Sequence, residues 1–156
     1  MKRFYKILFF EFVVIALIAG YFLVDSADIY RWWVGETKLT GADFGCDLHQ
    51  ESCEVTLKDG STVLFSITPK SIPLMEKLTF RAETKNINES CLELKLFATN
   101  MNMGLHSFKM LKKEDGVYEA QGILPTCIVG GMIWQANVII NKPSESIGAF
   151  YRFKTK

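Results

Sequence analysis

From Cys53 onward, apolar and polar residues alternate in short segments, the pattern of β-strands that bury one face. The first two segments, CEVTL and TVLFSI, flank the turn KDGS, and an Asp-Gly pair in such a turn is a strong hairpin signal. Further segments of this kind include KLTFRAET, CLELKLF, MIWQANVII and IGAFYRF. Roughly seven strands at this spacing predict an all-β fold, an immunoglobulin-like β-sandwich.

A basic segment and a long apolar run precede this region. Residues 1–6, MKRFYK, carry three positive charges, and residues 7–24 are apolar apart from Glu11, Gly20 and Tyr21. A helix of that length extends roughly 27 Å, close to the hydrocarbon core of about 30 Å, so the run predicts one N-terminal transmembrane helix. A cleaved signal peptide, cut after Ser26, is the alternative, but the sequence offers no A-x-A cleavage motif there.

The charges on the two sides of the run predict its orientation. Residues 1–6 are basic and stay in the cytoplasm by the positive-inside rule, so we expect a single-pass protein of the bacterial inner membrane with its C-terminal domain in the periplasm. Residues 25–41 are interpreted as an interfacial aromatic segment followed by a linker, and residues 42–156 as the β-sandwich. The net charge of +1 gives no reason to expect a nucleic-acid partner.

Four cysteines permit three disulfide connectivities, and proximity favours one pair. A bridge between Cys46 and Cys53 would close a short loop and remove roughly 2.5 kcal/mol of unfolded-state entropy, and the periplasm favours that oxidation. The alternative joins both thiolates and His49 as metal ligands. The spacing is not C-x-x-C, which argues against this alternative and against a thiol oxidoreductase. The pairing of Cys91 and Cys127 stays open.

The stretch NMNMG, residues 100–104, sets two methionines in the connection between two strands, and Met132 opens a later strand. Copper(I) is a soft ion, and a thioether is a soft ligand that needs no deprotonation. Met101 and Met103 are therefore candidate copper(I) ligands. The alternative is that methionine fills gaps in the core, the role expected of Met75 and Met110.

The order NMNMG, DGVYEAQGILP and GGMIWQANVII resembles the YtkA-like family of small extracytoplasmic β-sandwich domains, often associated with copper handling and respiratory oxidase assembly. The resemblance covers residues 62–140, and CDLHQESC lies outside it. It implies that Tyr118 and Trp134 are core residues. It also implies a convergent set of copper ligands: Met101, Met103, Met132, and Cys127 or His106.

These features predict a membrane-anchored periplasmic protein that binds copper(I) and helps to deliver it to a membrane enzyme such as a respiratory oxidase. No serine, cysteine or carboxylate catalytic set is evident, so we do not expect an enzyme. The alternative is a metal-free β-sandwich that serves as an interaction or accessory module of a membrane complex.

The predicted topology can be tested with a reporter enzyme fused after Lys156. We expect the reporter to be active only outside the cytoplasm, and the mature chain to retain residues 1–24, because an uncleaved anchor holds the basic end inside. N-terminal sequencing provides the second measurement. A mature chain that begins at Ala27 would contradict the anchor.

Overall fold

The computed structural model describes residues 6, 9, 11–14, 37–42, 45–101, 103–126, 130–142 and 146–155. The chain forms two compact units, Met1–Glu36 and Thr37–Lys156. In the first unit the described residues are helical. No helix among the described residues is long and apolar enough to cross a membrane. Most of the predicted anchor, residues 7–24, and the aromatic residues 30–33 lie outside the described part of the chain.

The second unit is built from β-strands, of which the described residues form nine. Their bounds are β1 Lys38–Ala42, β2 Cys53–Thr56, β3 Thr62–Thr68, β4 Lys77–Lys85, β5 Cys91–Ala98, β6 His106–Glu114, β7 Val117–Ile123, β8 Met132–Asn141 and β9 Ser146–Thr155. The prediction of an all-β fold is confirmed. The Asp-Gly turn lies between β2 and β3, as expected, and Gly60 there has a positive φ of 80° that suits glycine.

The nine strands form one hydrogen-bonded sheet in the order β1-β9-β8-β5-β6-β7-β4-β3-β2. Neighbouring strands are antiparallel except β1 and β9, which are parallel. Strands β5 to β8 have the spatial order of a Greek key, because β8 returns to lie beside β5. The sheet folds over on itself, and the two edge strands β1 and β2 approach each other.

Two features differ from the sequence-based prediction. The linker is predicted to extend to residue 41 and the domain to begin at residue 42, whereas Lys38–Ala42 forms the edge strand β1. An immunoglobulin-like sandwich has two separate sheets. Here one layer is β1-β9-β8-β5-β6 and the other is β7-β4-β3-β2, and a short bulged pairing of β6 with β7 joins them into one sheet.

The core lies between the two layers, where alternate residues of each strand point inward. Trp134 of β8 and Tyr118 of β7 are fully buried, as expected for core residues, and each has a partner for its polar tip. Trp134 Nε1 donates to Thr155 Oγ1 at 3.1 Å, and the Tyr118 hydroxyl donates to the Glu89 carbonyl oxygen at 2.7 Å.

Tyr151 of β9 connects the two layers. Its ring stacks on Phe65 of β3 with centroids 4.9 Å apart, and its hydroxyl donates to the backbone carbonyl oxygen of Val63 at 2.6 Å. Burial raises the pKa of this phenol far above its usual range, so the hydroxyl keeps its proton and remains a donor. The contact joins strands that are second from opposite edges of the sheet, and so it holds the sheet closed.

An ion pair beyond the last residue of β8 also connects the two layers. Lys142, which follows β8, contacts Asp59 in the turn between β2 and β3, with Nζ 2.6 Å from Oδ2. Hydrogen bonds from Lys142 and Ser61 lower the pKa of Asp59 to about 2, so the carboxylate stays charged well into acid.

Replacing Tyr151 with phenylalanine keeps the stacked ring but removes the hydroxyl that donates to the buried carbonyl oxygen of Val63. We expect the free energy of unfolding to fall by about 0.5–1.5 kcal/mol, the net contribution of one hydrogen bond. Urea unfolding of the full chain measures the change. Tyr118→Phe is the matched control, because its hydrogen bond is only partly buried and water can replace the hydroxyl. A larger loss in Tyr118→Phe would contradict this ranking.

Candidate metal site

Strands β5, β7 and β9 finish at one end of the second unit, and β4, β6 and β8 begin there. We call this the loop end. Among the described residues it carries the connections before β2, between β3 and β4, between β5 and β6, and before β8. The strand ends therefore bring together four stretches that are far apart in sequence, and with them most of the predicted ligands.

The structure places the three candidate methionines at this end. Met132 is the first residue of β8 and is fully buried. Met101 and Met103 lie in the β5–β6 connection, where both side chains are half-buried and pack against the core cluster. Their position between two strands agrees with the prediction, and their packing also agrees with the core-filling alternative.

Of the two methionines that were expected to fill the core, one does so. Met110 of β6 is fully buried. Met75, by contrast, is 62 % exposed and has a positive φ of 60°. The prediction for Met75 was therefore wrong, because a turn in the backbone directs its side chain into solvent.

Asn100 ties the methionine loop to the start of β8. Its Nδ2 donates to the carbonyl oxygen of Gly131 at 3.0 Å, and its Oδ1 accepts from the backbone N–H of Ile133 at 3.0 Å. The backbone N–H of Thr99 donates to the Ile133 carbonyl oxygen at 2.8 Å. These bonds hold the residue before Met101 against the residues on either side of Met132. The sequence analysis did not single out Asn100, although asparagine beside a glycine-rich turn can be read as a side-chain cap.

His106 is the first residue of β6 and stands opposite Leu96 of β5, whose side chain is buried. Cross-strand partners share a face, so the imidazole is on the inner face of the sheet. Its ring lies 6.5 Å from the ring of Trp134, centroid to centroid. Nε2 is buried and has no hydrogen-bond partner among the described residues. A buried polar atom without a partner costs about 1–3 kcal/mol, so this nitrogen is available to a water molecule or to a ligand.

Of the two remaining cysteines, the structure describes only Cys91. Cys127 lies outside the described residues, so its position as a candidate ligand stays a prediction. Cys91 has a free thiol and is half-buried at the start of β5, at the end of the strand opposite the loop end.

Cys46 and Cys53 form the predicted disulfide, with an S–S distance of 2.00 Å. His49, within the closed loop, has both ring nitrogens against backbone carbonyl oxygens: Nδ1 lies 3.0 Å from that of Lys70 and Nε2 2.7 Å from that of Lys154. The alternative in which Cys46, His49 and Cys53 bind a metal is therefore wrong. Among the described residues, no group of three or more histidine, cysteine, aspartate or glutamate side chains could hold a metal ion.

A cavity of about 1050 Å³ also lies at the loop end. Its walls include the disulfide loop, the end of β9, Gly131 and the segment of residues 71–74. Within that segment Ile72 is buried with a positive φ of 46°, a conformation that a β-branched residue rarely adopts. The sequence analysis missed this wall, although the prolines of TPKSIPLM indicate an irregular connection.

Comparison with models of known protein families, with curated protein sequences and with solved structures gives no match. The resemblance to the YtkA-like family rests on the short motifs quoted above.

Asn100 provides a direct test of how the methionine loop is held. Asn100→Ala removes the acceptor of the Ile133 N–H and the donor to Gly131, so we expect the Ile133 amide to exchange with deuterium roughly fivefold to tenfold faster, as for the loss of about 1 kcal/mol. Hydrogen exchange followed by NMR measures this rate. Asn100→Asp is the control, because it keeps the acceptor and should protect the amide. Equal rates in all three proteins would contradict this role of Asn100.

Proposed function

We propose that this chain binds copper(I) at the loop end through Met101, Met103, Met132 and His106, with Cys127 as a further candidate ligand. The protein would be a membrane-anchored periplasmic carrier that passes the ion to a membrane enzyme such as a respiratory oxidase. The N-terminal anchor and the periplasmic location are parts of this proposal.

The observation that carries the proposal is the buried Nε2 of His106, which has no hydrogen-bond partner among the described residues. A neutral imidazole nitrogen without a proton is a ligand for copper. His106 opens β6 directly after the methionine loop, and Asn100 ties that loop to the strand that Met132 opens. Three thioethers and one imidazole thus come from elements that meet at one end of the sheet.

The donor set supports binding and transfer rather than catalysis. Thioether sulfurs do not take up or release protons near neutral pH, so they supply no acid or base. They are soft enough to hold copper(I) where exposed thiols become oxidised. The loop between β5 and β6 lies beyond the last pair of these two strands, Leu96 and His106, a position that suits the binding of an ion that must leave again.

A second candidate function is a metal-free interaction module, and three exposed apolar side chains near the loop end favour it. Met75 is 62 % exposed, Leu105 57 % and Ile123 52 %. Exposed apolar residues that lie together mark surfaces at which proteins meet. Under this alternative, Met101 and Met103 support that surface and bind no ion.

The two functions are distinguished by replacing Met101 and Met103 together with leucine. The swap nearly conserves volume and should cost less than about 1.5 kcal/mol in stability, but it removes two soft donors. We therefore expect a folded variant that binds copper(I) at least tenfold more weakly. Anaerobic titration against a competing copper(I) chelator measures the affinity.

Met110→Leu is the matched control, since it makes the same swap at a core methionine of β6 and should leave copper(I) affinity unchanged. His106→Leu adds a second measurement. It removes the unpartnered nitrogen, so the metal-free protein should be at least as stable while copper(I) affinity falls. Equal affinity in the wild type and the double leucine variant would exclude the thioether site and leave the interaction module.

A further inference from the structure

Strands β6 and β7 are paired over only part of their length. Toward the loop end their register stops at the pair Leu111 and Glu119. Beyond it, residues 106–110 of β6 pair only with β5, and residues 120–123 of β7 pair only with β4, among the described strands. Two backbone edges therefore lie open where the sheet divides, and open edges can pair with another polypeptide.

Phe108 fills the inner side of this opening. Its ring lies where a side chain on Gly122 would be, since a Cβ there would be 2.6 Å from the ring atom Cε1. The ring also packs on Phe80, with centroids 5.9 Å apart. The ring of Phe108 thus covers the core where β6 and β7 are not paired. The core stays shielded from solvent although the two backbone edges remain open.

A cleft of about 250 Å³ lies on the outer side of the same opening. It is lined by Lys109, Leu111, Lys113, Glu119, Ala120 and Gln121. Three of these residues alternate along β6, and the middle one, Leu111, is 52 % exposed. The β6 side of the cleft therefore presents an apolar side chain between two lysines.

The charges around the cleft leave those lysines as its available cations. Glu119 accepts from Arg81 Nη1 at 3.0 Å, so its charge is compensated. Glu93, opposite Lys109 on β5, accepts from the Ser107 hydroxyl at 2.9 Å and lies 3.5 Å from Lys95 Nζ. No ion pair of Lys109 or Lys113 occurs in the part of the chain that the structure describes.

We propose that this cleft binds an extended acidic segment of a partner polypeptide, which adds as a strand to the open edge of β6. Backbone hydrogen bonds to residues 106–110 would supply affinity, and side chains would supply selectivity. Added beside residues 106–110, the strand ends where β7 pairs with Leu111. Alternate residues of the added strand share a face, so its acidic side chains lie beside Lys109 and within reach of the long side chain of Lys113, and its apolar residue lies next to Leu111. A second copy of this chain fits poorly, because two β6 edges would bring lysines against lysines.

The test uses the full chain in a mild non-ionic detergent and a seven-residue peptide with valine at its centre and glutamate two residues to either side. We expect saturable binding by fluorescence anisotropy. Lys109→Glu combined with Lys113→Glu should weaken it at least tenfold, and a peptide with lysine in place of glutamate should bind that variant instead. Lys58→Glu, in the turn between β2 and β3, is the control that changes the same charge away from the cleft.

A peptide with N-methyl groups on alternate backbone nitrogens separates strand addition from simple charge attraction. Methylation removes backbone donors but keeps every side chain, so we expect binding to be lost. Undiminished binding of the methylated peptide, or equal binding by the double glutamate variant, would overturn the proposal. Failure of the acidic peptide to bind, or concentration-dependent dimerisation that Lys109→Glu strengthens, would also overturn it.

Discussion

The contact of Tyr151 with β3 is the interaction on which the rest of the domain depends. An open sheet of nine strands has two edges and two faces, and this one can bury its apolar inner face only by folding onto itself. The stacked rings of Tyr151 and Phe65, 4.9 Å apart, and the bond to the Val63 carbonyl join the layers through the middle. Lys142 and Asp59 join them at the turns. With both contacts present, the short strand β1 can complete one layer.

The contacts that close the sheet, at Tyr151 and between Lys142 and Asp59, both lie away from the loop end. The connection between β5 and β6 is tied to β8 by the side-chain amide of Asn100 and by the hydrogen bonds from Thr99 to the carbonyl oxygen of Ile133. The disulfide, Lys70 and His49 brace the other side, where Lys70 Nζ donates to the carbonyl oxygen of Glu51 at 2.7 Å. The loop end thus combines one wall that a disulfide braces with one that a few hydrogen bonds hold.

Local patterns predicted much of this fold, and long-range contacts explain what they missed. The alternating segments became strands because each alternation specifies which face is buried, and Cys46 and Cys53 paired because they are close in sequence. Strand β1, KLTGA, lacks a clear alternation, and it is a strand because β9 lies beside it. The unpartnered nitrogen of His106 could not be predicted, since it depends on which groups surround the ring. Asn100 was missed for the same reason.

The parallel pairing of β1 with β9 has a consequence for how the chain reaches its final state. Lys38 pairs with Ile147, about a hundred residues later, so the loop to be closed is nearly the whole domain. Such non-local pairings slow folding, and here they involve β9, which follows the other eight described strands along the chain. Until β9 pairs with β8, the edge of β8 is open and the contact of Tyr151 with β3 is absent. A chain in which β9 has not yet paired is therefore prone to aggregation through the edge of β8, and its survival depends on how quickly Ser146–Thr155 docks.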